Sequence, residues 1–241
     1  MNSQKLLDKL LDGFKKEIDV YYAKYLKDMR LIIDSTLNNI DGKYDPSNYM
    51  HRSELDVMHS NIESKIDELF DEVDKTMEDL LTKAYTESYN YYGDSNKDTI
   101  LFNTKMQEAL DSLWSGMNYK DRLKKHRFLL KFQSNAVANN GIVKHESNKK
   151  IKTELSKIVS SQYSAMKNLS TTEVTVIGNQ ATIDYCNANN ILEVVVIDDD
   201  RCCQRCRDNA GRKIRVRDYD PSMVTLHPHC RCYTKPVHKL K

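Results

Sequence analysis

The chain has 241 residues and a net charge of +2, with 30% charged and 8% aromatic side chains. It contains no run of 18 apolar residues, so no membrane-spanning helix is predicted, and its first residues lack the apolar core of a signal peptide. We therefore expect a protein that is made in the cytosol. With only 7 glycines and 4 prolines, the chain offers few sites for tight turns, which favours long helices.

The charge is unevenly distributed along the chain. Residues 1–100 carry 21 acidic and 13 basic side chains, whereas residues 201–241 carry 3 acidic and 11 basic ones. Such asymmetry predicts different partners at the two ends. A solvated acidic helical surface, with basic loops around a thiolate-rich site, is an equally good interpretation.

Two long amphipathic helices are predicted first, over residues 3–40 and 52–90. Apolar residues recur in each at spacings of three and four, which is typical of one buried face. In the first helix this face is Leu7, Leu11, Phe14, Ile18, Tyr21, Tyr25, Met29 and Ile32. In the second helix, where the spacing is close to a heptad, it is Leu55, Met58, Ile62, Ile66, Leu69, Val73, Met77, Leu80 and Ala84. The turn residues between them predict an antiparallel helical hairpin.

The tyrosine-rich end of this hairpin runs into Gly93-Asp94-Ser95-Asn96, the best candidate for a boundary. We therefore divide the chain into a helical hairpin, 1–98, and a second domain, 99–241. A helix starting near Thr99 is expected to carry Met106, Leu110, Leu113 and Trp114. Asn118 can cap a further helix through its side-chain oxygen. This helix holds Leu123, Phe128, Leu129 and Phe132 and is expected to end at Asn139-Asn140-Gly141.

Two more helices and two strands are predicted after residue 141. Ser147 can cap a helix that carries Ile151, Leu155, Ile158 and Val159, and Thr171-Thr172-Glu173 precedes a separate helix that ends at Asn189-Asn190 and holds Cys186 as a buried thiol. Leu192 to Ile197 and Lys213 to Val216 are β-branched runs that predict a hairpin. The predicted fold is mostly α, α+β overall, with a small zinc-stabilised C-terminal β-hairpin element at about 192–236.

Five of the six cysteines lie in two short runs near the C-terminus. Cys203 and Cys206 form a C-x-x-C pair, and His227 and Cys230 form an H-x-x-C pair. Two such pairs joined by a spacer of this length are typical of a tetrahedral zinc site. We predict these four residues as ligands of a structural zinc ion, with Cys202, Cys232 and His229 as alternates. A disulfide cross-link and unpaired reduced thiols remain alternatives.

The same cluster argues against catalysis. A catalytic zinc ion keeps three protein ligands and one open position, whereas five cysteines offer more donors than such a site uses. We expect no catalytic residues and no enzymatic activity. The chain also has no phosphate-binding glycine loop, which excludes a P-loop motor.

Basic side chains surround the first cysteine pair. They can contact DNA phosphates in a salt-sensitive and sequence-independent way, or they can balance the thiolates and the acidic run Asp198-Asp199-Asp200. The six candidates for contact with DNA or a protein partner are Arg205, Arg207, Arg212, Lys213, Arg215 and Arg217.

The segment from Trp114 to Pro236 resembles the Mu F-like head morphogenesis domain of minor capsid proteins from tailed bacteriophages. The resemblance rests on Trp114-Ser115-Gly116 with Arg122, on Gly141 and Ser147, on Thr172-Glu173, on the strand before Asp199-Asp200-Arg201-Cys202-Cys203-Gln204-Arg205-Cys206, on Gly211, and on His227-Pro228-His229-Cys230-Arg231-Cys232 before Pro236. The order and spacing agree over half the chain. Thr171, where an arginine often stands, and the extra Cys202 depart from the family pattern.

The resemblance implies a minor head protein associated with the portal and the capsid interior, acting in procapsid assembly and in genome packaging or release. The implied partners are the portal protein and capsid or scaffold proteins. Packaged double-stranded DNA is an open alternative as a further partner. No membrane and no small-molecule substrate are expected. The acidic hairpin would be a docking arm. The implied location is the virion, and the host cytoplasm during assembly. The alternative function is a zinc-knuckle nucleic-acid-binding protein free in the cytoplasm.

Overall fold

The computed structural model describes residues 3–41, 43–93, 99–199 and 202–237. Its six helices are α1 (Ser3–Asn39), α2 (Tyr49–Asn90), α3 (Thr99–Leu110), α4 (Tyr119–Val143), α5 (Asn148–Ala188) and α6 (Gln204–Asn209). Three strands, β1 (Glu193–Ile197), β2 (Lys213–Arg215) and β3 (Tyr233–Pro236), and two 3₁₀ turns, Val216–Asp218 and Pro221–Met223, complete these residues. The chain is therefore mostly helical with a small sheet at its C-terminal end. None of the described helices is long and apolar enough to cross a membrane.

The chain forms two compact units, each assembled from separate segments. The sheet unit comprises residues 1–15, 76–119 and 167–241, and the helical unit comprises residues 16–75 and 120–166. Each unit contains residues from both sides of the predicted boundary. That boundary itself falls at 94–98, outside the described residues, and the division into an arm and a domain stays a prediction.

The helical unit is a bundle of four antiparallel helix segments. Along α2 and α4, Asp71 pairs with Arg127, Asp67 with Lys131 at 2.7 Å, and Glu63 accepts a hydrogen bond from Asn135 at 2.9 Å. Because one sequence number rises by four as the other falls by four, these two helices run antiparallel. Asp34 and Lys152 pair at 2.5 Å and Arg30 donates to Ser156, which gives α1 and α5 the same relation.

The predicted helical hairpin is confirmed in the helical unit, with two register corrections. Asn39 of α1 donates to Glu54 of α2 at 2.8 Å, close to the connection between the helices. All nine predicted positions on α2 are buried, but in α1 Tyr22 and Ile33 are buried where Tyr21 and Ile32 were predicted. The buried positions of α1 repeat every eleven residues, and the prediction of Tyr21 was out of phase by one residue.

Two other predictions for the helices were wrong in detail, one for α3 and one for the end of α4. α3 ends at Leu110, so Leu113 is 60% exposed and Trp114 lies in a turn. On α4, Leu123 and Leu130 are buried, while Phe128 and Phe132 point to solvent. α4 also continues to Val143, beyond the predicted stop at 139–141.

The predicted break near Thr171 does not occur, and α5 is one helix of 41 residues. The hydroxyls of Ser170, Thr171 and Thr172 bond back to carbonyls of the preceding turn, Lys167 O and Asn168 O, at 2.9 to 3.1 Å. Such bonds let Ser and Thr lie within a helix without breaking it. The predicted cap is present, because the Ser147 Oγ accepts from the Lys150 N–H at 3.3 Å.

The sheet has three antiparallel strands in the order β2-β1-β3, where two were predicted. The β1–β2 pairing is the predicted hairpin, with Val194 opposite Ile214. β3 was missed, and it pairs with the other edge of β1, with Val196 opposite Thr234. Because β3 follows Cys232 directly, this pairing brings the second cysteine run to the first.

Candidate metal centre

Two tight turns present the candidate ligands. Cys203 immediately precedes α6, in the connection between β1 and β2, and its carbonyl accepts from the Cys206 and Arg207 N–H groups, both at 3.1 Å. The Cys230 N–H donates to the His227 carbonyl at 3.0 Å in the loop before β3. Each turn aims its two side chains in one direction, so the sheet brings both pairs into one volume.

The donor atoms lie close to the spacing of a tetrahedral site. The His227 Nε2 is 3.2 Å from the Cys203 Sγ and 3.1 Å from the Cys206 Sγ, and the Cys206 and Cys230 sulfurs are 3.7 Å apart. Four sulfurs about 2.3 Å from a central zinc ion would be about 3.8 Å from one another. The cluster can therefore close around one ion with small side-chain movements.

The orientation of the His227 ring suits a metal ligand. Its Nδ1 is 2.7 Å from the Pro228 carbonyl oxygen, so Nδ1 carries the proton and donates. Nε2, which faces the sulfurs, is then unprotonated, and its lone pair is free to bind a metal ion. A histidine that binds metal through one nitrogen commonly has the other nitrogen held by a carbonyl. The same hydrogen bond raises the pKa of His227.

Cys232, which was predicted only as an alternate ligand, lies within the cluster of donor atoms. Donor atoms lie within 4.8 Å of one another in two groups that share Cys206: Cys203, Cys206 and His227, and Cys206, Cys230 and Cys232. Cys232 is fully buried and Cys203 is exposed. Five donors therefore surround a volume that a tetrahedral ion would fill with four.

Hydrogen bonds inside the cluster favour thiolates at two positions. The Cys232 thiol lowers the pKa of Cys230 to about 5 by donating to its sulfur. The Cys206 N–H lowers the pKa of Cys203 by donating to that sulfur. Burial raises the pKa of Cys206 to about 12. Because the thiolate is the form that binds metal, Cys230 and Cys203 are prepared for binding before an ion arrives.

Two of the alternates are directed elsewhere. The Cys202 thiol donates to the Asp198 carboxylate at 3.3 Å and belongs to neither group of donors. His229 is exposed, has a positive φ of 64°, and its backbone N–H donates to the Thr172 hydroxyl at 2.9 Å. Cys186 is buried on α5, as predicted, and burial raises its pKa to about 12.

Sequence reasoning missed the residue that fixes the second loop. The Asn179 amide on α5 donates to the Cys232 carbonyl at 3.0 Å and accepts from the Thr234 N–H at 2.7 Å. Its only signal in the sequence is that it is a polar residue in the largely apolar stretch 174–186. A buried amide with both its donor and its acceptor satisfied holds its partners firmly.

Arg231 is a second residue whose role was missed. Its guanidinium bonds to Asp199 at 2.8 Å and to Asp8 of α1, and its side chain is 15% exposed. This pairing ties the loop between Cys230 and Cys232 to the end of β1 and to α1. Asp200 and Arg201, which belong to the motif, lie outside the described residues.

The six basic residues predicted for contact with DNA or protein are all exposed. Arg215 and Arg217 are both paired with Asp218, at 2.6 and 3.7 Å. Arg205, Arg212 and Lys213 have no carboxylate within ion-pair distance among the described residues. These three cations are therefore available to a partner.

No protein-family model, curated protein or solved structure matches the chain.

Proposed function

We propose that the chain is a minor head protein of a tailed bacteriophage, related to the Mu F-like head morphogenesis family, with a structural zinc ion in its cysteine–histidine cluster. The observation that supports this proposal most is the convergence of the motif residues. The Trp114 indole donates to the Thr225 carbonyl at 3.0 Å, Thr172 receives the His229 N–H, and Asp199 pairs with Arg231.

This convergence is more informative than the metal spacing alone. Trp114 and Thr225 are 111 residues apart in sequence, and Pro236 at the end of the motif pairs with Val194 of β1. A zinc-binding pattern in an unrelated protein would need only the four ligands. Residues outside the ligand set that have a role around the cluster support a relation over the whole domain.

The proposed ion is zinc because of the donors. Three thiolates and one imidazole in tetrahedral arrangement are typical of structural zinc sites, and thiolate donors disfavour magnesium and calcium. Such a site contributes on the order of 10 kcal/mol in isolated modules. The ion would cross-link α6 to the loop before β3. With four protein ligands no position is left for a substrate, so the proposed role is structural and not enzymatic.

We place the protein in the capsid interior, at the portal, with capsid or scaffold proteins as further partners. Its role would be in procapsid assembly and in genome packaging or release. The acidic hairpin, residues 1–98, is the proposed docking arm, because its net negative charge does not suit contact with DNA. The exposed cations around α6 and β2 would face packaged DNA.

The zinc site is tested by native mass spectrometry of the purified chain. We expect one zinc ion per chain, lost in Cys206→Ser and retained in Cys202→Ser, the matched control whose thiol faces Asp198. Cys232→Ser decides whether Cys232 replaces one of the four predicted ligands. A metal-free chain with a mass lower by two or four hydrogens would show disulfides and contradict the zinc proposal.

The structural role is tested in the phage that encodes the chain. We expect the polypeptide in purified particles at low copy number, and co-purification with the portal protein of the same genome after co-expression. Absence from particles, together with failure to bind the portal, would contradict the proposal. Neither readout depends on metal content, so the two parts of the proposal are tested separately.

The alternative function, nucleic-acid binding in the cytoplasm, is favoured by the unpaired exposed cations Arg205, Arg212 and Lys213. It predicts binding to free duplex DNA that weakens about 10³-fold or more between about 50 and 200 mM salt. The triple alanine variant should abolish this binding, and Lys149→Ala, an exposed cation elsewhere, should not. Tight DNA binding without any presence in particles would favour this alternative.

A further inference from the structure

The outer face of α4 in the helical unit exposes two aromatic rings that do not pack in the core of the bundle. Phe128 and Phe132 are 66% and 65% exposed and lie one turn apart. Their rings are nearly parallel, at 14°, with centroids 6.5 Å apart. The buried face of α4 is instead formed by Leu123, Leu130 and Ala138. A paired aromatic surface of this kind marks an interaction site more often than a single exposed residue does.

A groove of about 490 Å³ runs beside these rings, between α4 and α2. Beside the two rings it is lined by Ala136, Asn135 and Asn139 of α4, with Glu63 and His59 contributed by α2. The groove is open along its length, so a second helix can lie against the two rings and along the groove.

The charges on this face are arranged with opposite signs at its two ends. Lys125 is exposed one turn before Phe128, and its neighbour Lys124, whose side chain is 77% exposed, pairs with Asp121 at 3.3 Å. One turn after Phe132, Asn135 is bonded to the exposed carboxylate of Glu63. The cations near the middle are neutralised, because Arg127 and Lys131 pair with Asp67.

This arrangement is complementary to itself. If two copies of α4 cross antiparallel about a two-fold axis near residue 130, Phe128 of one copy meets Phe132 of the other. Lys125 then faces Asn135 and Glu63 of the second copy. An isologous contact of this type requires one patch to match itself under rotation, and here both the apolar and the charged parts do so.

We propose that the Phe128–Phe132 face of α4 is an interface between two copies of this chain. This interface is a property beyond the proposed function and does not depend on that function. Nucleic acid is a poorer occupant, because Glu63 lines the groove and would repel phosphates, while the nearby cations Arg127 and Lys131 are already paired with Asp67. Four partly exposed rings, of roughly 150–250 Å² each, offer on the order of 500 Å². This area is below that of a stable dimer, about 1,200 Å², so the association is weak.

Sedimentation velocity of the full chain at low salt, over a range of concentrations, tests the interface. We expect concentration-dependent dimers in the tens of micromolar, and a monomer for Phe128→Ser/Phe132→Ser. The matched control is Val20→Ser/Leu31→Ser, which changes two residues of α1 that are 65% and 57% exposed and should leave dimerisation unchanged. Circular dichroism checks that each variant keeps its helix content.

Charge reversal tests the antiparallel arrangement. Lys125→Glu should raise the dimer dissociation constant at least tenfold, and adding Glu63→Lys should restore most of the loss. If the charge-reversal variant weakens the dimer and adding Glu63→Lys does not restore it, the antiparallel arrangement is wrong.

A wild-type chain that stays monomeric at about 200 μM would overturn the proposal, as would dimers that survive the loss of both rings. A monomer that binds a single-stranded oligonucleotide only while Phe128 and Phe132 are present would also overturn it, because the occupant would then be nucleic acid.

Discussion

At the scale of single residues, Arg231 shows how the sheet unit holds the second loop of its candidate metal centre. Its neighbours Cys230 and Cys232 are both donors of the cluster, while its own side chain points between Asp8 and Asp199. The Asp199 side chain is only 6% exposed. A buried carboxylate needs a partner, because the desolvation of an unpaired charge is costly. The guanidinium supplies that partner and thereby fixes the loop.

Arg231→Ala should therefore destabilise the chain strongly. Leaving a buried carboxylate without its cation costs about 3–5 kcal/mol. The control is Arg217→Ala, which removes a 75% exposed cation paired with Asp218 and should cost less than about 1 kcal/mol. Urea unfolding followed by circular dichroism measures both. Equal costs for the two variants would show that the buried pair does not stabilise the loop.

Cys202 and Cys203 are adjacent, so in the sequence only the C-x-x-C spacing to Cys206 favoured Cys203 as the ligand. The structure separates them by direction, since one sulfur faces His227 and the other faces Asp198. It also raises the importance of Cys232, whose sulfur is buried among the donors. Neither distinction was accessible from spacing, because it depends on which way β3 runs after the loop.

At the scale of elements, the long helices follow an eleven-residue repeat. In α1 the buried set Leu11, Phe14 and Ile18 recurs as Tyr22, Tyr25 and Met29, and α2 repeats in the same way from Leu55. Eleven residues in three turns give 3.67 residues per turn, which is close to a straight helix and does not require a left-handed supercoil. The residues predicted on α2 are the buried ones, because an eleven-residue repeat is a heptad with one further spacing of four, and both patterns consist of spacings of three and four.

The turn between α4 and α5 depends on the small size of Gly141. A Cβ at this position would lie 2.5 Å from the Cγ1 of Ile151, a fully buried side chain. The two helices approach here because the connection of 144–147 is short. No side chain fits at Gly141 without displacing the first turn of α5.

Gly141→Ala should destabilise the chain by about 1–3 kcal/mol through overpacking, despite the better helix propensity of alanine. Adding Ile151→Ala should recover part of this loss by removing the clash. Gly13→Ala is the control, because no atom lies within 4 Å of its added Cβ in the interior of α1. It should stabilise the chain by about 0.5–1 kcal/mol. A stabilising Gly141→Ala would contradict the close approach of the two helices. Thermal unfolding measures all three variants.

At the scale of the whole molecule, two carboxylates make the stability depend on pH in opposite directions. Burial raises the pKa of Asp184, which accepts a hydrogen bond from Tyr85 at 2.8 Å in the sheet unit. The Lys152 ammonium lowers the pKa of Asp34 in the helical unit. The stabilising contribution of Asp184 is present below the pKa of the unfolded chain and is lost as pH rises through its folded pKa. That of Asp34 is present above the unfolded pKa and is lost as pH falls through its folded pKa.

Asp184→Asn and Asp34→Asn should therefore change the pH profile of the unfolding free energy in opposite ways. Relative to the wild type, Asp184→Asn should gain stability as pH rises from about 4 to 7, because the folded state no longer resists ionisation at this site. Asp34→Asn should lose stability relative to the wild type as pH rises from about 2 to 5, because it lacks the ionised partner of Lys152 and the folded pKa of Asp34 lies below the ordinary carboxyl value. Denaturant unfolding at several pH values checks this, and parallel profiles for the two variants would contradict the assignment.

The sequence by itself determined the long helices, the β1–β2 hairpin and the volume where the cysteines meet. These follow from local patterns: apolar periodicity, β-branched runs and paired cysteines on tight turns. It also identified Ser147 as a cap and Cys186 as buried. The family resemblance and the function it implies stay proposals that rest on the motif residues.

The tertiary structure alone decided what depends on distant partners. β3 is a strand because an edge of β1 is available to it, α5 continues because its hydroxyls bond within the helix, and Phe128 faces outward because Leu130 takes the core. Asn179 and Arg231 acquire their roles only when α5, α1 and the last loop come together. A local pattern carries no information about the β1–β3 pairing or the contacts of Asn179 and Arg231, because each of these joins residues more than thirty positions apart.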